Sequence, residues 1–174
     1  MNYLIQFQIN LFALLVLAVL FIYVRSSVMW TFSKQLFTRG LIATASAVIL
    51  EPLTWILDRE VFPGAFFLGY VSNFALFLAA PVIGGLLMSY VDYRLFHNPQ
   101  RISGRLYYQH ASMLTLAVLT VNLFMPVYFS IDPIANAYSS GHYKLYHYFV
   151  VGSIYVYMLF FVMKNRRRVN RKEA

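Results

Sequence analysis

The stretch AFFLGYVSNFALFLAAPVIGGLLMSYV, residues 65–91, contains no charged side chain. At a rise of about 1.5 Å per residue, a helix over this stretch is about 40 Å long. The hydrocarbon core of a membrane is only about 30 Å thick. The stretch therefore predicts a helix that crosses a membrane with some tilt.

Four further apolar runs accompany this one, at residues 3–24, 40–57, 111–131 and 145–163. The whole chain of 174 residues is 60% hydrophobic and 11% charged, whereas soluble domains are about half apolar and about a quarter charged. The sequence predicts an all-α membrane protein, a bundle of five transmembrane helices over residues 1–163. Residues 164–174 form a basic tail after the last helix.

The basic residues are distributed unequally between the two sides of such a bundle. One side holds only Arg59 and Lys144. The other holds twelve of the fourteen Lys and Arg residues, namely Arg25, Lys34, Arg39, Arg94, Arg101, Arg105, Lys164, Arg166, Arg167, Arg168, Arg171 and Lys172. Because cytoplasmic loops are enriched in Lys and Arg, we expect the N-terminus outside and the C-terminus in the cytoplasm.

This topology also explains the net charge of +8. The basic tail is expected to contact anionic lipids, and no nucleic-acid partner is expected because the tail has no aromatic residues for base stacking. The chain has no cysteine, which excludes disulfides and thiol chemistry. It also lacks the motifs of common enzyme classes, so neither catalysis nor a cofactor is expected.

Glu51 is an ionisable residue inside an apolar run, where a charge costs roughly 2.5 to 3.5 kcal/mol. Helical spacing places it on one face with Trp55 and Asp58, together with small residues that pack between helices. We therefore expect Glu51 to face protein rather than lipid. Pro52 follows it and is expected to kink the helix and free a carbonyl group beside the carboxylate.

Each of the other four predicted helices also carries a polar side chain in its outer half. In chain order these are Gln6 and Asn10 in the first helix, Asn73 in the third, Asn122 in the fourth and His147 in the fifth. Two interpretations stay open. The groups could hydrogen-bond one another between helices, or they could line a cavity that binds a small ligand, a cation or a proton. His147 could in addition pair with Glu51 or Asp132 and titrate near neutrality. On the second interpretation the candidate ligand-binding residues are these five, with Glu51, Trp55 and Asp58.

Small residues recur along the third helix at Ala80, Gly84, Gly85 and Ser89. This spacing is typical of close helix packing, either within the bundle or in a homodimer.

Several motifs resemble the N-terminal multi-span sensor region of Gram-positive GGDEF proteins, the membrane-bound diguanylate cyclases. They are Gln6-Phe7-Gln8-Ile9-Asn10, Glu51-Pro52-Leu53-Thr54-Trp55 before Asp58, Ala80 to Gly85 running into Ser89-Tyr90-Val91-Asp92-Tyr93, and Arg105-Leu106-Tyr107-Tyr108-Gln109-His110. The resemblance implies a sensor in the bacterial plasma membrane that relays a stimulus to a cytoplasmic cyclase domain when two copies meet. It therefore implies a homodimer. The 174 residues contain no GGDEF motif, so an isolated sensor module is expected.

Two other functions fit the same pattern. Proline-broken helices with polar groups near the midplane are also features of a small transporter or of the substrate-binding subunit of one. A non-catalytic regulatory protein could instead use the small-residue face to bind another membrane protein.

Overall fold

The computed structural model describes residues 3–26, 31–103 and 107–166, and these are mostly helical. The elements are α1 (Tyr3–Ser26), α2 (Phe32–Leu57), α3 (Ala65–Phe96), α4 (Pro99–Ser103), α5 (Tyr107–Asn122), β1 (Phe129–Ile131), β2 (Tyr138–Ser140) and α6 (Lys144–Lys164). In this part of the chain, four helices are long and apolar enough to cross a membrane: α1, α2, α3 and α6. The large apolar side chains exposed on α1 and α6 are consistent with a lipid environment.

Helix α3 is central, and the helices packed against it alternate in direction. Helices α2 and α5 run antiparallel to α3, whereas α6 runs parallel to it. The contacts that define these directions are Phe32–Tyr93 for α2, Tyr70–Asn122 and Gly85–Tyr108 for α5, and Phe77–His147 and Gly84–Ile154 for α6. Helix α1 packs mainly on α2.

Three of the predicted helices lie where the apolar runs place them, as α1, α3 and α6. Helix α2 also ends at the predicted Leu57, but it begins at Phe32 rather than at Gly40. The reason is local, since the Thr31 hydroxyl accepts a hydrogen bond from the Lys34 amide at 3.3 Å. This cap satisfies an amide that the first helical turn leaves without a partner. The helix continues through Pro52.

The prediction of a helix over residues 111–131 is wrong in its second half. Helix α5 ends at Asn122, and residues 129–131 form β1, which pairs antiparallel with β2. The all-α prediction is corrected accordingly. The apolar run does not continue as a helix for two reasons. Pro126 has no amide hydrogen to donate, and the Asn122 side chain binds backbone groups of residues 128 and 129.

The β-hairpin lies at the end of the bundle where α2 ends and α3 begins, and we call this the hairpin end. We call the opposite end, near α4, the α4 end. The strand β1 is buried against α3 and α5, forming an apolar core of Phe77, Leu119, Tyr128, Phe129 and Ile131. Since Phe129 and Leu119 are fully buried, the hairpin is an integral part of the bundle.

The small-residue stripe of α3 packs inside the chain. A Cβ atom added at Gly84 would lie 3.1 Å from Ile154 of α6, and one at Gly85 would lie 2.5 Å from the Tyr108 carbonyl oxygen of α5. Ser89 is buried and donates to the Gly85 carbonyl. The stripe therefore serves helix packing within one copy, as the first of its two interpretations proposed.

Candidate functional site

A cavity of about 370 Å³ opens at the hairpin end between α2, α3, β2 and α6. Its volume lies at the small end of ligand-binding cavities, which span roughly 300–1,000 Å³. Four of the predicted site residues line it: Trp55 and Asp58 of α2, Asn73 of α3, and His147 of α6. The remaining lining residues are Thr54, Leu76, Phe77, Ala80, Tyr138, Lys144 and Tyr148.

His147 is the most deeply buried titratable residue of the cavity, with 3% of its surface exposed. Its ring packs edge-on against Phe77, with centroids 4.9 Å apart, and makes a tilted contact with Tyr128 at 5.3 Å. Its Nδ1 atom is buried without a hydrogen-bond partner among the described residues. No hydrogen bond joins it to Glu51 or Asp132, the two partners proposed from the sequence. Because a buried polar atom without a partner is unfavourable, this atom is a candidate for contact with a ligand or a bound water.

Two oppositely charged side chains line the same cavity. Asp58 directly follows the last residue of α2, and its Oδ1 accepts a hydrogen bond from the Tyr138 amide at 2.8 Å. Lys144 is the first residue of α6, and its Nζ lies 5.2 Å from the centroid of the Tyr138 ring. The cavity therefore offers both a hydrogen-bond acceptor and a cation to a bound molecule.

Asn73 lies on the α3 side of the cavity and is buried. Its Nδ2 donates to the Gly69 carbonyl at 2.9 Å, which holds the side chain against its own helix. An amide has a second N–H and a carbonyl oxygen, so hydrogen-bonding capacity remains for a ligand.

Glu51, Gln6 and Asn10 do not line the cavity. Glu51 is half-buried on α2, and Asn10 is 9% exposed on α1, which packs mainly on α2. The Gln6 Oε1 and Asn10 Nδ2 atoms are buried without partners among the described residues. The predicted polar set is thus divided into a cavity group and a group on α1 and α2.

Asn122 has a structural role at the hairpin. Its Oδ1 accepts from the Tyr128 and Phe129 amides at 2.7 and 3.2 Å, and its Nδ2 donates to the Phe129 carbonyl at 2.9 Å. Its own carbonyl accepts from the Tyr70 hydroxyl at 2.9 Å. With these partners the side chain is not available to a ligand, which favours the structural interpretation for this residue.

Two further residues stabilise the hairpin, one through contacts with the end of α2 and one within the turn. Asn136 is buried, and its Nδ2 donates to the Leu57 and Glu60 carbonyls at 2.8 and 3.0 Å. Asp132 accepts from the Ile134 and Ala135 amides, both at 2.8 Å. Because these bonds stabilise the carboxylate, they hold the pKa of Asp132 below its ordinary value.

The α4 end carries an ion pair with a buried carboxylate, which the sequence did not predict. Asp92 is fully buried, and Arg101 Nε donates to both of its oxygens at 2.8 and 3.0 Å. The Tyr108 hydroxyl also donates to Asp92, and the Arg101 guanidinium lies 3.9 Å from the centroid of the Phe96 ring. These contacts connect the last turns of α3 to α4 and α5.

Lys144, Tyr138 and Tyr148 of the cavity were also missed. Lys144 did give a signal, since it is a lone basic residue at the start of an apolar run. Tyr138 gave none, because a three-residue strand inside a connection has no detectable periodicity. The described residues contain no group of three metal-ligating side chains placed to hold a metal ion.

The chain matches no protein-family model, and no curated protein or solved structure matches it. Its function is therefore inferred from the geometry of the cavity and of the bundle around it.

Proposed function

We propose that the chain is a membrane-embedded sensory module that binds a small molecule from outside the cell and relays its presence to the cytoplasm. The observation that carries this proposal is the cavity at the hairpin end, whose wall includes the first turn of α6 and the unpartnered Nδ1 of His147. A binding event there acts directly on a helix that continues to Lys164 at the opposite end.

Five crossings with the N-terminus outside form part of this proposal. Helix α5 has 16 residues and is about 24 Å long, which is short for a hydrocarbon core of about 30 Å. Its antiparallel contact with α3, from Asn122 at one end to Tyr108 at the other, supports a crossing nonetheless. With five crossings, most of the described basic residues lie toward the α4 end, which the charge rule assigns to the cytoplasm. Arg105 and residues 167–174 of the predicted basic tail lie outside the described residues.

The relay would use two packings of α6 against α3. These helices run in parallel from the cavity, with His147 against Phe77 and Ile154 against Gly84. A ligand shifts the balance between two packings only by its difference in affinity for them. Ordering of His147 and Lys144 by a ligand provides that difference at the first turn of α6.

The proposal also includes a cytoplasmic output domain of diguanylate cyclase type. It further includes a homodimer as the signalling form. Both derive from the resemblance to GGDEF sensor regions. Because the small-residue stripe of α3 is filled by α5 and α6, the dimer interface would have to lie on another surface. Exposed apolar side chains of α1 and α6 provide such surfaces.

The α1 and α2 group, Glu51 with Gln6 and Asn10, remains a proposed protonation site. Its test uses a fusion of the chain to a diguanylate cyclase domain. Glu51→Gln in this fusion is expected to alter the difference in cyclic di-GMP production between acidic and neutral medium. Gln8→Asn on the exposed face of α1, which adds no titratable group, is the matched control. If cyclic di-GMP production responds to pH in the same way in Glu51→Gln and in the parent fusion, Glu51 is not a protonation site.

The test of the sensor proposal measures movement at the α4 end. Because the chain has no cysteine, spin labels can be attached at Gln100→Cys and Met163→Cys, both exposed. The labelled protein in nanodiscs is titrated with a panel of amino acids, organic acids, amines and sugars. We expect at least one compound class to change the distance distribution between the labels.

The control variants change the cavity without changing the labels. Ala80→Leu fills the cavity and is expected to abolish the response, whereas Ala79→Leu places the same side chain at a residue outside the lining. A distance distribution that no compound changes contradicts the sensor proposal. Uptake of the same compounds by proteoliposomes would instead support the transporter.

A further inference from the structure

The two charged side chains of the cavity lie at opposite helix ends and are not paired with each other. Asp58 follows the C-terminus of α2, and Lys144 begins α6. The ion pair of the described residues, Arg101 with Asp92, lies at the α4 end instead. A helix C-terminus carries partial negative charge and a helix N-terminus partial positive charge, so each helix end reinforces the charge of its side chain. The cavity therefore has a negative end and a positive end.

Tyr138 contacts both of these charged side chains. Its amide binds Asp58 Oδ1 at 2.8 Å, while its ring lies 5.2 Å from Lys144 Nζ. The second oxygen of Asp58 makes no hydrogen bond within the described residues. Lys144 Nζ lies 3.5 Å from Ser140 Oγ and also interacts with the side chains of Tyr138 and Tyr148, none of which is a carboxylate. Both charges retain capacity for a ligand.

The space between the charged ends is small and largely apolar. Trp55, Phe77 and Tyr148 provide aromatic surface, and Asn73 and the unpartnered Nδ1 of His147 add polar atoms. A volume of about 370 Å³ admits a molecule of a few heavy atoms around each charge rather than a large ligand.

We propose that the cavity binds a small zwitterion, with its ammonium group at Asp58 and its carboxylate or phosphate at Lys144. This inference rests on the proposed sensory function and names its ligand class. Two sources supply this chemistry at the hairpin end: free amino acids, and the headgroup of phosphatidylethanolamine in the membrane.

The experiment uses Trp55 as the reporter. The chain has two tryptophans, so Trp30→Phe leaves Trp55 as the single tryptophan, which is excited selectively at wavelengths that tyrosine does not absorb. The full chain is placed in phosphatidylglycerol nanodiscs and titrated with the twenty standard amino acids. Each amino acid is also titrated as its amide, which lacks the carboxylate, and as its N-acetyl form, which lacks the ammonium. A second set of nanodiscs contains phosphatidylethanolamine.

Two variants assign the charges. We expect Asp58→Asn and Lys144→Gln each to weaken binding of the zwitterion at least tenfold. Asparagine at position 58 keeps an oxygen for the Tyr138 amide, so the hairpin contact is retained. The N-acetyl form should bind Asp58→Asn as it binds the parent chain, and the amide should bind Lys144→Gln likewise. Arg94→Gln, which removes an exposed charge far from the cavity, is the matched control.

The outcomes distinguish the two ligand sources, and they distinguish failure of the zwitterion inference from failure of the proposed sensory function. Saturable binding of an amino acid supports the free-ligand source, whereas a Trp55 signal changed by phosphatidylethanolamine and sensitive to both variants supports the lipid source. Binding only of neutral or singly charged compounds, unaffected by either variant, overturns the zwitterion inference and leaves the sensory function standing. If Trp55 responds to no compound in either lipid, whether zwitterionic, neutral or singly charged, both the zwitterion inference and the sensory function are overturned. If Lys144→Gln fails to fold, Lys144→Arg is used, and it should retain binding.

Discussion

Replacing Asn122 with leucine should open the β-hairpin locally. Phe129 lies opposite Ser140, and the amide of Gly141 bonds to the carbonyl of Tyr128. Because hydrogen-bonded pairs alternate along an antiparallel ladder, both backbone groups of Phe129 point away from β2. The Asn122 amide binds both of them, as a third strand would.

The magnitude follows from the three backbone groups that leucine leaves without a partner. They are the Phe129 N–H and C=O and the Tyr128 N–H, in residues that are 0% and 4% exposed. A buried group that loses its partner costs about 1–3 kcal/mol. Even at the lower limit, the sum is about 3 kcal/mol. This corresponds to a change of about a hundredfold in an opening equilibrium.

Hydrogen exchange measures this change directly. In Asn122→Leu, we expect the protection of the Tyr128 and Phe129 amides to fall about a hundredfold, while amides in the middle of α3 keep theirs. Asn122→Asp is the matched control, because it retains the acceptor for both amides and loses only the Nδ2 donor, which binds the Phe129 carbonyl and the Tyr70 hydroxyl. Equal protection in the leucine variant and the parent chain would refute the structural role of Asn122.

Three other perturbations test the packing and the charges. Gly85→Ala should lower the free energy of unfolding by about 2 kcal/mol, since its Cβ would lie 2.5 Å from a backbone oxygen of α5. Gly40→Ala meets nothing within 4 Å and should be neutral or stabilising in the same denaturation assay, so equal effects of the two would contradict the packing. Arg101→Met should lower the free energy of unfolding by about 3 kcal/mol, because it leaves the buried carboxylate of Asp92 without its cation. Adding Asp92→Asn should restore part of the lost stability. A double variant no more stable than Arg101→Met would be inconsistent with the ion pair. Because Asp132 has a lowered pKa, its stabilisation of the turn is present above its ordinary pKa of 3.8 and is lost as the pH falls through the lowered pKa. Exchange protection of the two amides that it accepts from should therefore fall only below about pH 4, and a fall near neutrality would contradict that role.

The sequence predicted the helices well wherever length and apolar composition decide the structure. The runs over residues 65–91 and 145–163 became α3 and α6 because a backbone in lipid must satisfy its own hydrogen bonds. These features are properties of long segments, and they survive without knowledge of tertiary contacts. The side of the membrane that charge placement assigns to each end of the bundle stays a prediction.

The hairpin could not be predicted in this way. Residues 123–131 are apolar enough to continue α5, yet Asn122 and Pro126 end the helix. The stabilising contacts of the hairpin come from Tyr70 and Leu57, which are far away in the sequence. Only tertiary structure reveals such partners.

The candidate site was predicted in part for the same reason. Helical spacing located Trp55, Asp58, Asn73 and His147 near one end of the bundle, where the cavity lies. Lys144 was used to predict the topology but was not among the predicted site residues. The direction of its side chain depends on its contact with Tyr138 of the hairpin, which the sequence does not reveal. Glu51 was the residue expected to be central, and the structure places it outside the cavity lining.

The orientation of the hairpin end decides whether the cavity can act as an external receptor. The absence of native cysteines allows Ile134→Cys in the hairpin and Gln100→Cys in α4, both at exposed positions, to be labelled in intact cells with a membrane-impermeant maleimide. We predict that Ile134→Cys reacts in intact cells and that Gln100→Cys reacts only after the membrane is permeabilised. Labelling of Gln100→Cys from outside, with Ile134→Cys protected, would place the cavity on the cytoplasmic side and contradict the receptor.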